Sequence, residues 1–144
     1  MKIYLASSIG PVGSEIRLNA EKIAQILEVQ GHEVYIPWKH RVPHPWDYPN
    51  NEWALMTFMN DIRAMDEAEI MVMLSYGRES TAGANWEAGY FFGTGKKVIV
   101  VEMTDQIMSL MVANGRYATV KGIQGITEYD WEKMSMSRTD TEQK

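Results

Sequence analysis

The chain contains no cysteine, which excludes disulfides, thiolate nucleophiles and Cys-ligated zinc. Its three histidines, His32, His40 and His44, have no metal-site spacing among themselves, so neither a metal nor another cofactor is expected. No cluster of Lys or Arg is present and the formal net charge is -5. Nucleic-acid binding draws most of its affinity from neutralised phosphates, so a nucleic-acid partner is not expected either. No apolar run approaches the roughly 20 residues of a membrane-spanning helix. The N-terminus passes directly into Lys2-Ile3-Tyr4-Leu5-Ala6 without a charged region and cleavage site. A cytoplasmic protein acting on a small ligand, with no membrane association, is the expectation.

At 144 residues, 45% of them apolar and 23% charged, the chain has the size and composition for one globular core. Residues 1–134 read as that domain and 135–144 as a polar tail. Strand and helix patterns alternate. Lys2 to Ala6 is a strand, and Ser14 to Gln30 a helix with Ile16, Ala20, Ile23 and Leu27 on one face, ended by Gly31. His32 to Ile36 is a second strand. A long Pro-, Trp- and His-rich connection follows, then a helix from Glu52 to about Ala68, capped by Asn51 and buried along Leu55, Phe58 or Met59, Ile62 and Met65. The runs Ile70 to Leu74 and Val98 to Val101 are apolar throughout, as in parallel strands buried on both faces. A short helix around Gln106 to Val112 and a strand near Ala118 to Val120 complete the set. The alternation predicts an α/β, flavodoxin-like, doubly wound five-stranded parallel sheet in the order 2-1-3-4-5, flanked by helices.

The segment Gly83-Ala84-Asn85-Trp86-Glu87-Ala88-Gly89-Tyr90 lies between the two central strands and places one carboxylate, Glu87, in the first turn of a short helix. Helix N-termini favour negative charge, which is one explanation for Glu87. Against it, the position of a capping-box Ser or Thr is Ala84, and Gly89 and Gly93 lower helix propensity as if another element or a ligand approached the backbone. Loops at the carboxyl ends of such strands are where open α/β sheets bind ligands. Glu87 therefore reads as placed for chemistry. Gly10, in Gly10-Pro11-Val12-Gly13, lies either near a sugar or phosphate or in a plain turn, because the spacing is not that of a dinucleotide fingerprint. Trp38 and Trp46, in the long loop, either stack on a planar base or anchor the loop, and Trp86 reads as packing under its own loop. Asp66 and Glu69 read as surface charges.

Taken together, Lys2-Ile3-Tyr4-Leu5-Ala6-Ser7, Asn60-Asp61-Ile62, Trp86-Glu87-Ala88-Gly89-Tyr90 with Gly95-Lys96-Lys97, and Leu110-Met111 resemble the nucleoside 2-deoxyribosyltransferase family over roughly residues 1 to 130. The resemblance implies a homo-oligomer with active sites near subunit interfaces, taking 2'-deoxyribonucleosides and free nucleobases. It also implies Glu87 as a nucleophile that becomes glycosylated, Tyr4 as the residue that orients it, and Asp61 as the acid that contacts and protonates the base. The division makes chemical sense. Breaking an N-glycosidic bond builds positive charge at C1′, which a carboxylate traps, and expels a nitrogen that leaves better once protonated. Two carboxylates whose environments separate their pKa values can share those tasks.

The chain departs from the family pattern at Thr81, where many members carry a base-contacting aspartate, and at Ser109, where members often place an asparagine in a neighbour's sugar site. With Ser7, Ser8, Gly10, Trp38, Trp46, Ser80, Gly83 and Met111, these two positions make up the expected substrate-binding set. Related hydrolases that release a base from nucleoside monophosphates keep the glutamate and favour serines around a phosphate. Ser7, Ser8 and Ser80 fit that alternative, while a nucleotide-sensing module without catalysis is a third.

Overall fold

A computed structural model describes residues 1–77, 80 and 82–136, so the expectations for Thr81 and for most of the polar tail fall outside the described residues. Five parallel strands, β1 (Lys2–Ala6), β2 (Glu33–Tyr35), β3 (Ile70–Ser75), β4 (Lys97–Glu102) and β5 (Ala118–Lys121), form one sheet in the order β2-β1-β3-β4-β5. This is the flavodoxin-like topology expected from the alternation of elements. All of β3 is buried, as is the run Val98 to Val101 in β4. Central parallel strands are covered by helices on both faces, which is why these runs do not alternate with polar residues.

The connecting helices are α1 (Glu15–Val29), α2 (Asn50–Glu67), α3 (Ala82–Gly93), α4 (Leu110–Gly115) and α5 (Gly122–Glu128). The Ser14 side chain caps α1 by accepting from the Arg17 amide at 3.4 Å, and Gly31, at φ +96°, lets the chain leave the helix. On one side of the sheet Ile3, Leu5, Val72, Leu74, Ile99 and Val101 pack with Ala20, Ile23 and Leu27 of α1 and Ile126 of α5. On the other, Tyr4, Ala6, Met71, Met73, Val98 and Val100 pack with Met65 of α2, Ala84, Ala88 and Phe91 of α3 and Val112 of α4.

Several elements differ from the sequence-based expectation. Helix α2 starts at Asn50 behind Pro49, with no side-chain cap, so Asn51 lies inside the helix. Its expected buried stripe is half absent: Ala64 and Met65 are buried, whereas Leu55, Phe58 and Met59 are 60%, 45% and 46% exposed. The reason is length. An 18-residue helix spans about 27 Å, while the 5-residue β1 beneath it spans about 17 Å, so the first turns of α2 overhang the sheet. Helix α4 begins at Leu110 because Ser109 caps it, accepting from the Val112 amide at 3.4 Å. Helix α5 had no strong apolar period and was not anticipated.

Candidate active site

The site grows from the first two strands. Tyr4 and Tyr35 are register partners in β1 and β2, and their rings stack at 5.5 Å with an interplanar angle of 18°. The fully buried Tyr4 points to the α2–α3 side of the sheet, and its hydroxyl donates to Oε2 of Glu87. The Tyr35 hydroxyl donates to Oδ1 of Asp61 at 3.3 Å. Each carboxylate is thus matched to a tyrosine, one pair on neighbouring strands and the other on neighbouring helices.

Glu87 is the sixth residue of α3, in the second turn rather than the first as expected, because the helix starts as early as Ala82. The helix N-terminus is therefore not what holds it; Tyr4 is. Burial pushes the Glu87 carboxyl from its ordinary 4.5 up to about 7, the Tyr4 hydrogen bond opposes that rise, and the charge of Asp61 adds to it. Asp61 is half-buried and is also raised by burial, while the Tyr35 hydrogen bond and the nearby His40 hold it back. Both phenols are pushed up, Tyr4 chiefly by burial and by Glu87, Tyr35 chiefly by burial and by Asp61, so they remain hydrogen-bond donors. The arrangement supplies two carboxylates on neighbouring helices, Glu87 raised to about 7 and subject to the charge of Asp61, and Asp61 itself raised by burial.

The other expected site residues are distributed more widely. Ser7 and Ser8 are buried just beyond β1, with the Ser7 hydroxyl donating to the Ser8 carbonyl at 3.1 Å. Ser80 is buried and accepts from the Tyr76 amide at 2.8 Å, shaping the loop after β3. Gly10 serves the packing of its own chain, since a Cβ there would meet the Ser14 hydroxyl oxygen at 2.3 Å. Trp38 packs with the α1 side of the sheet, under the Arg17 guanidinium at 5.6 Å, on the opposite face from Tyr4 and Glu87. Trp46 is 78% exposed, edge-on to His44. Gly83 is exposed in the first turn of α3, and Met111 lines a cavity of about 330 Å³ with Asn85, Gly89, Phe92 and Arg116. Gly89 and Gly93 are not approached by another element, as a Cβ at either would meet nothing within 4 Å.

Asp66 and Glu69 are exposed, as expected of surface charges, and they and Trp86 each have a partner. Trp86 is 52% exposed and stacks on Tyr90 at 5.7 Å rather than packing under its loop. Asp66 accepts from the Tyr90 hydroxyl at 2.7 Å, and Glu69 accepts from the Lys2 amide at 2.8 Å. Lys96, noted in the sequence only as part of Gly95-Lys96-Lys97, has a structural role: its ammonium donates to the carbonyls of Met65, Asp66 and Ala68 at 2.6, 3.2 and 2.8 Å. These are the unpaired carbonyls at the end of α2, so Lys96 ties the helix carrying Asp61 to the end of the helix carrying Glu87. Tyr35 was missed in the sequence; the visible signal was a tyrosine in the second strand at the position matching Tyr4 in the first.

The family profile described as Nucleoside 2-deoxyribosyltransferase matches residues 3–135. A solved structure of a 2-deoxyribosyltransferase from Bacillus psychrosaccharolyticus is similar at 26% identity and TM-score 0.84, over 96% of this chain and 99% of that one. A conserved protein from Enterococcus faecalis superposes with TM-score 0.66 at 18% identity, over 89% of this chain and 95% of its own. A CMP N-glycosidase from Clostridium botulinum does so with TM-score 0.59 at 13% identity, over 89% of this chain and 96% of its own. At those two identities the likeness is one of fold. No curated protein matches the chain in sequence.

Proposed function

We propose, from the premise that the chain belongs to the nucleoside 2-deoxyribosyltransferase family, that it moves 2-deoxyribose from one nucleobase to another through a covalent glycosyl-glutamate on Glu87. The observation that carries this reading is the buried Glu87, held by the Tyr4 hydroxyl within the field of a second half-buried carboxylate, Asp61. In the first half-reaction Asp61 gives its proton to the base nitrogen as the C1′–N bond breaks with its electron pair going to the base. An ionised Glu87 oxygen bonds to C1′ from the opposite face. In the second, an incoming base attacks C1′, the ester electron pair returns to Glu87, and Asp61 takes the proton released by the base. Two inversions give net retention with ping-pong kinetics. Tyr4 steadies Glu87 throughout by donating to its oxygen.

Transfer and hydrolysis differ in whether a base or water resolves the intermediate. Engagement of Ser7 and Ser80 in bonds within the chain, and of Arg17 with Trp38, supports unphosphorylated deoxynucleosides as substrates rather than nucleoside monophosphates. The test is product analysis of deoxyinosine with and without free cytosine, and of thymidine and deoxyadenosine beside their 5′-monophosphates. Formation of deoxycytidine supports transfer. Free sugar phosphate from the monophosphates, with no new nucleoside in any mixture, makes the chain an N-glycoside hydrolase instead. Binding without base release would leave a nucleotide-sensing module. A slow 2-fluoro sugar analogue should leave a mass adduct on Glu87.

The same reading includes a homo-oligomer. Leu55, Phe58 and Met59 on the overhanging part of α2, and Leu110 and Met111 at 61% and 80% exposure on α4, are more apolar surface than one small domain ordinarily leaves uncovered. Light scattering at micromolar concentration should give a multiple of the chain mass, and a monomer would contradict it.

A further inference from the structure

An aspartate carboxyl turns over a broad range about its last side-chain bond, so a proton on it is aimed only where something else fixes the group. At Asp61 that partner is Tyr35, whose hydroxyl donates to Oδ1 at 3.3 Å. Tyr35 is itself held firmly. Its backbone lies in β2 as the register partner of Tyr4, and its ring stacks on Tyr4 at 5.5 Å and on His40 at 4.1 Å, nearly parallel to each. We propose that Tyr35 is a positioning residue: by holding Oδ1 of Asp61 it turns the other oxygen, which then carries the proton, toward the leaving base, and the His40 ring keeps Tyr35 in that pose.

The inference rests on the reading of Asp61 as proton donor and adds how that proton is aimed. A phenol O–H that donates to one carboxyl oxygen leaves the proton of the neutral acid on the other, because an O–H on the first would point its hydrogen at the phenol's own. Tyr4 does the matching service for Glu87 by holding Oε2, which leaves Oε1 to bond to C1′. Tyr4 and Tyr35 are paired in the sheet and stacked, so the two held oxygens share one frame. The free oxygens are thereby set relative to each other by a pair of strands as well as by the helices that carry them. His40 is fitted to its part. Pro37 opens the turn before it, the His40 amide donates to the Pro37 carbonyl at 3.2 Å, and buried Ile36 and Val42 anchor the chain on either side. A groove of about 400 Å³ between β2 and α2 is lined by Tyr35, His40, Asn60 and Arg63, so a Tyr35 ring without His40 against it has room to turn away from Asp61.

Aiming a proton and merely packing can be separated by the leaving group. Deoxyinosine expels a base that leaves better once protonated, whereas 7-methyl-2′-deoxyguanosine carries a cationic base that leaves neutral without a proton. Single-turnover base release from both, per folded molecule, is measured for wild type, Tyr35→Phe, His40→Phe, His40→Ala, Asp61→Asn and the Asp61→Asn/Tyr35→Phe double variant. Tyr35→Phe keeps the ring and removes the hydroxyl. It should slow deoxyinosine about 10-fold and 7-methyl-2′-deoxyguanosine by less than about 2-fold, and add nothing in the Asp61→Asn background. His40→Phe should match wild type, and His40→Ala should show a smaller loss of the same selective kind. Equal losses on the two substrates in Tyr35→Phe, or a double variant slower than Asp61→Asn, would mean that the phenol supports the fold and not the proton, which overturns the proposal. His40→Ala indistinguishable from wild type overturns the part given to His40. If Asp61→Asn slows both substrates alike, the reading of Asp61 as proton donor fails and this inference with it. If Asp61→Asn is selective and Tyr35→Phe is not, the inference alone fails. Wild type that releases no base from either substrate overturns both.

Discussion

The two faces of the sheet are built from the same strands but from different chemistry. Toward α1 and α5 the strands present Ile3, Leu5, Ile70, Val72, Leu74, Ile99 and Val101, branched aliphatic side chains with no polar atom. Toward α2 and α3 they present Tyr4, Ala6, Met71, Met73, Val98 and Val100, and the helices over them add Asp61 and Glu87. Branched aliphatic residues have well-defined rotamers and pack to a fixed shape, whereas alanine and methionine leave room and adapt to what lies above. Parallel strands alternate sides with a period of two, so one five-residue segment, Lys2–Ala6, serves both the aliphatic wall and the one that holds Tyr4 against Glu87. Both faces bury an apolar cluster of similar extent, and the two carboxylates paired to tyrosines lie over one of them.

The sharpest way to break this comparison is at Glu87. Glu87→Gln should lower turnover by at least about 10⁴-fold if the residue is the nucleophile, and should at the same time make the fold more stable above neutral pH. The carboxyl is raised from 4.5 to about 7 in the folded protein, so between those pH values the native state binds more protons than the unfolded chain and stability falls as pH rises. That difference corresponds to about 3 kcal/mol above pH 7. Denaturant unfolding at pH 5 and pH 8 should show the gain only at the higher pH. An inactive but no more stable variant would mean that Glu87 does not carry the burial cost assigned to it.

Asp61→Asn comes next, with an expected loss of about 10²- to 10⁴-fold, the range for a positioned general acid. The loss should be smaller for substrates whose base leaves without protonation, and an equal loss for all leaving groups would count against the acid role. On the opposite face, Leu5→Ala should cost about 2–5 kcal/mol of stability, while kcat per folded molecule stays near wild type. Loss of activity in proportion to neither stability nor folded fraction would show that the two faces are coupled rather than separate.

The smallest effect is expected at Tyr4. Removing a hydrogen bond to a charged group costs about 1.5–3 kcal/mol, so Tyr4→Phe should slow turnover by about 10- to 100-fold. Because the Tyr4 hydroxyl opposes the rise of the Glu87 carboxyl, the titration of that carboxyl, followed by carbon-13 resonance in the free protein, should move to higher pH in this variant. An unmoved titration would separate Tyr4 from the ionisation of Glu87.

The sheet order was legible in the sequence because fully apolar strands, helix stop signals and strand-helix alternation admit few topologies. Glu87 and Asp61 were legible as candidates because each stands in a short motif whose residue order survives without three-dimensional information. What the chain determined by itself was therefore periodic or contiguous: which segments are strands, which of them are buried on both faces, and which short motifs carry acids. Tertiary structure alone decided what lies across space. Tyr35 pairs with Asp61 at 26 residues' separation, Tyr4 with Glu87 at 83, and Lys96 with the end of α2 at about 30. It also decided that Trp38 belongs to the α1 layer, and that α2 outruns the strand beneath it and leaves Leu55, Phe58 and Met59 in the open. A pKa depends on burial and on neighbours brought together by folding, and neither has a period along the chain. For that reason the sequence could name two carboxylates and, by resemblance, the Tyr4 that orients one of them, while only the fold supplies the burial that raises the Glu87 carboxyl to about 7.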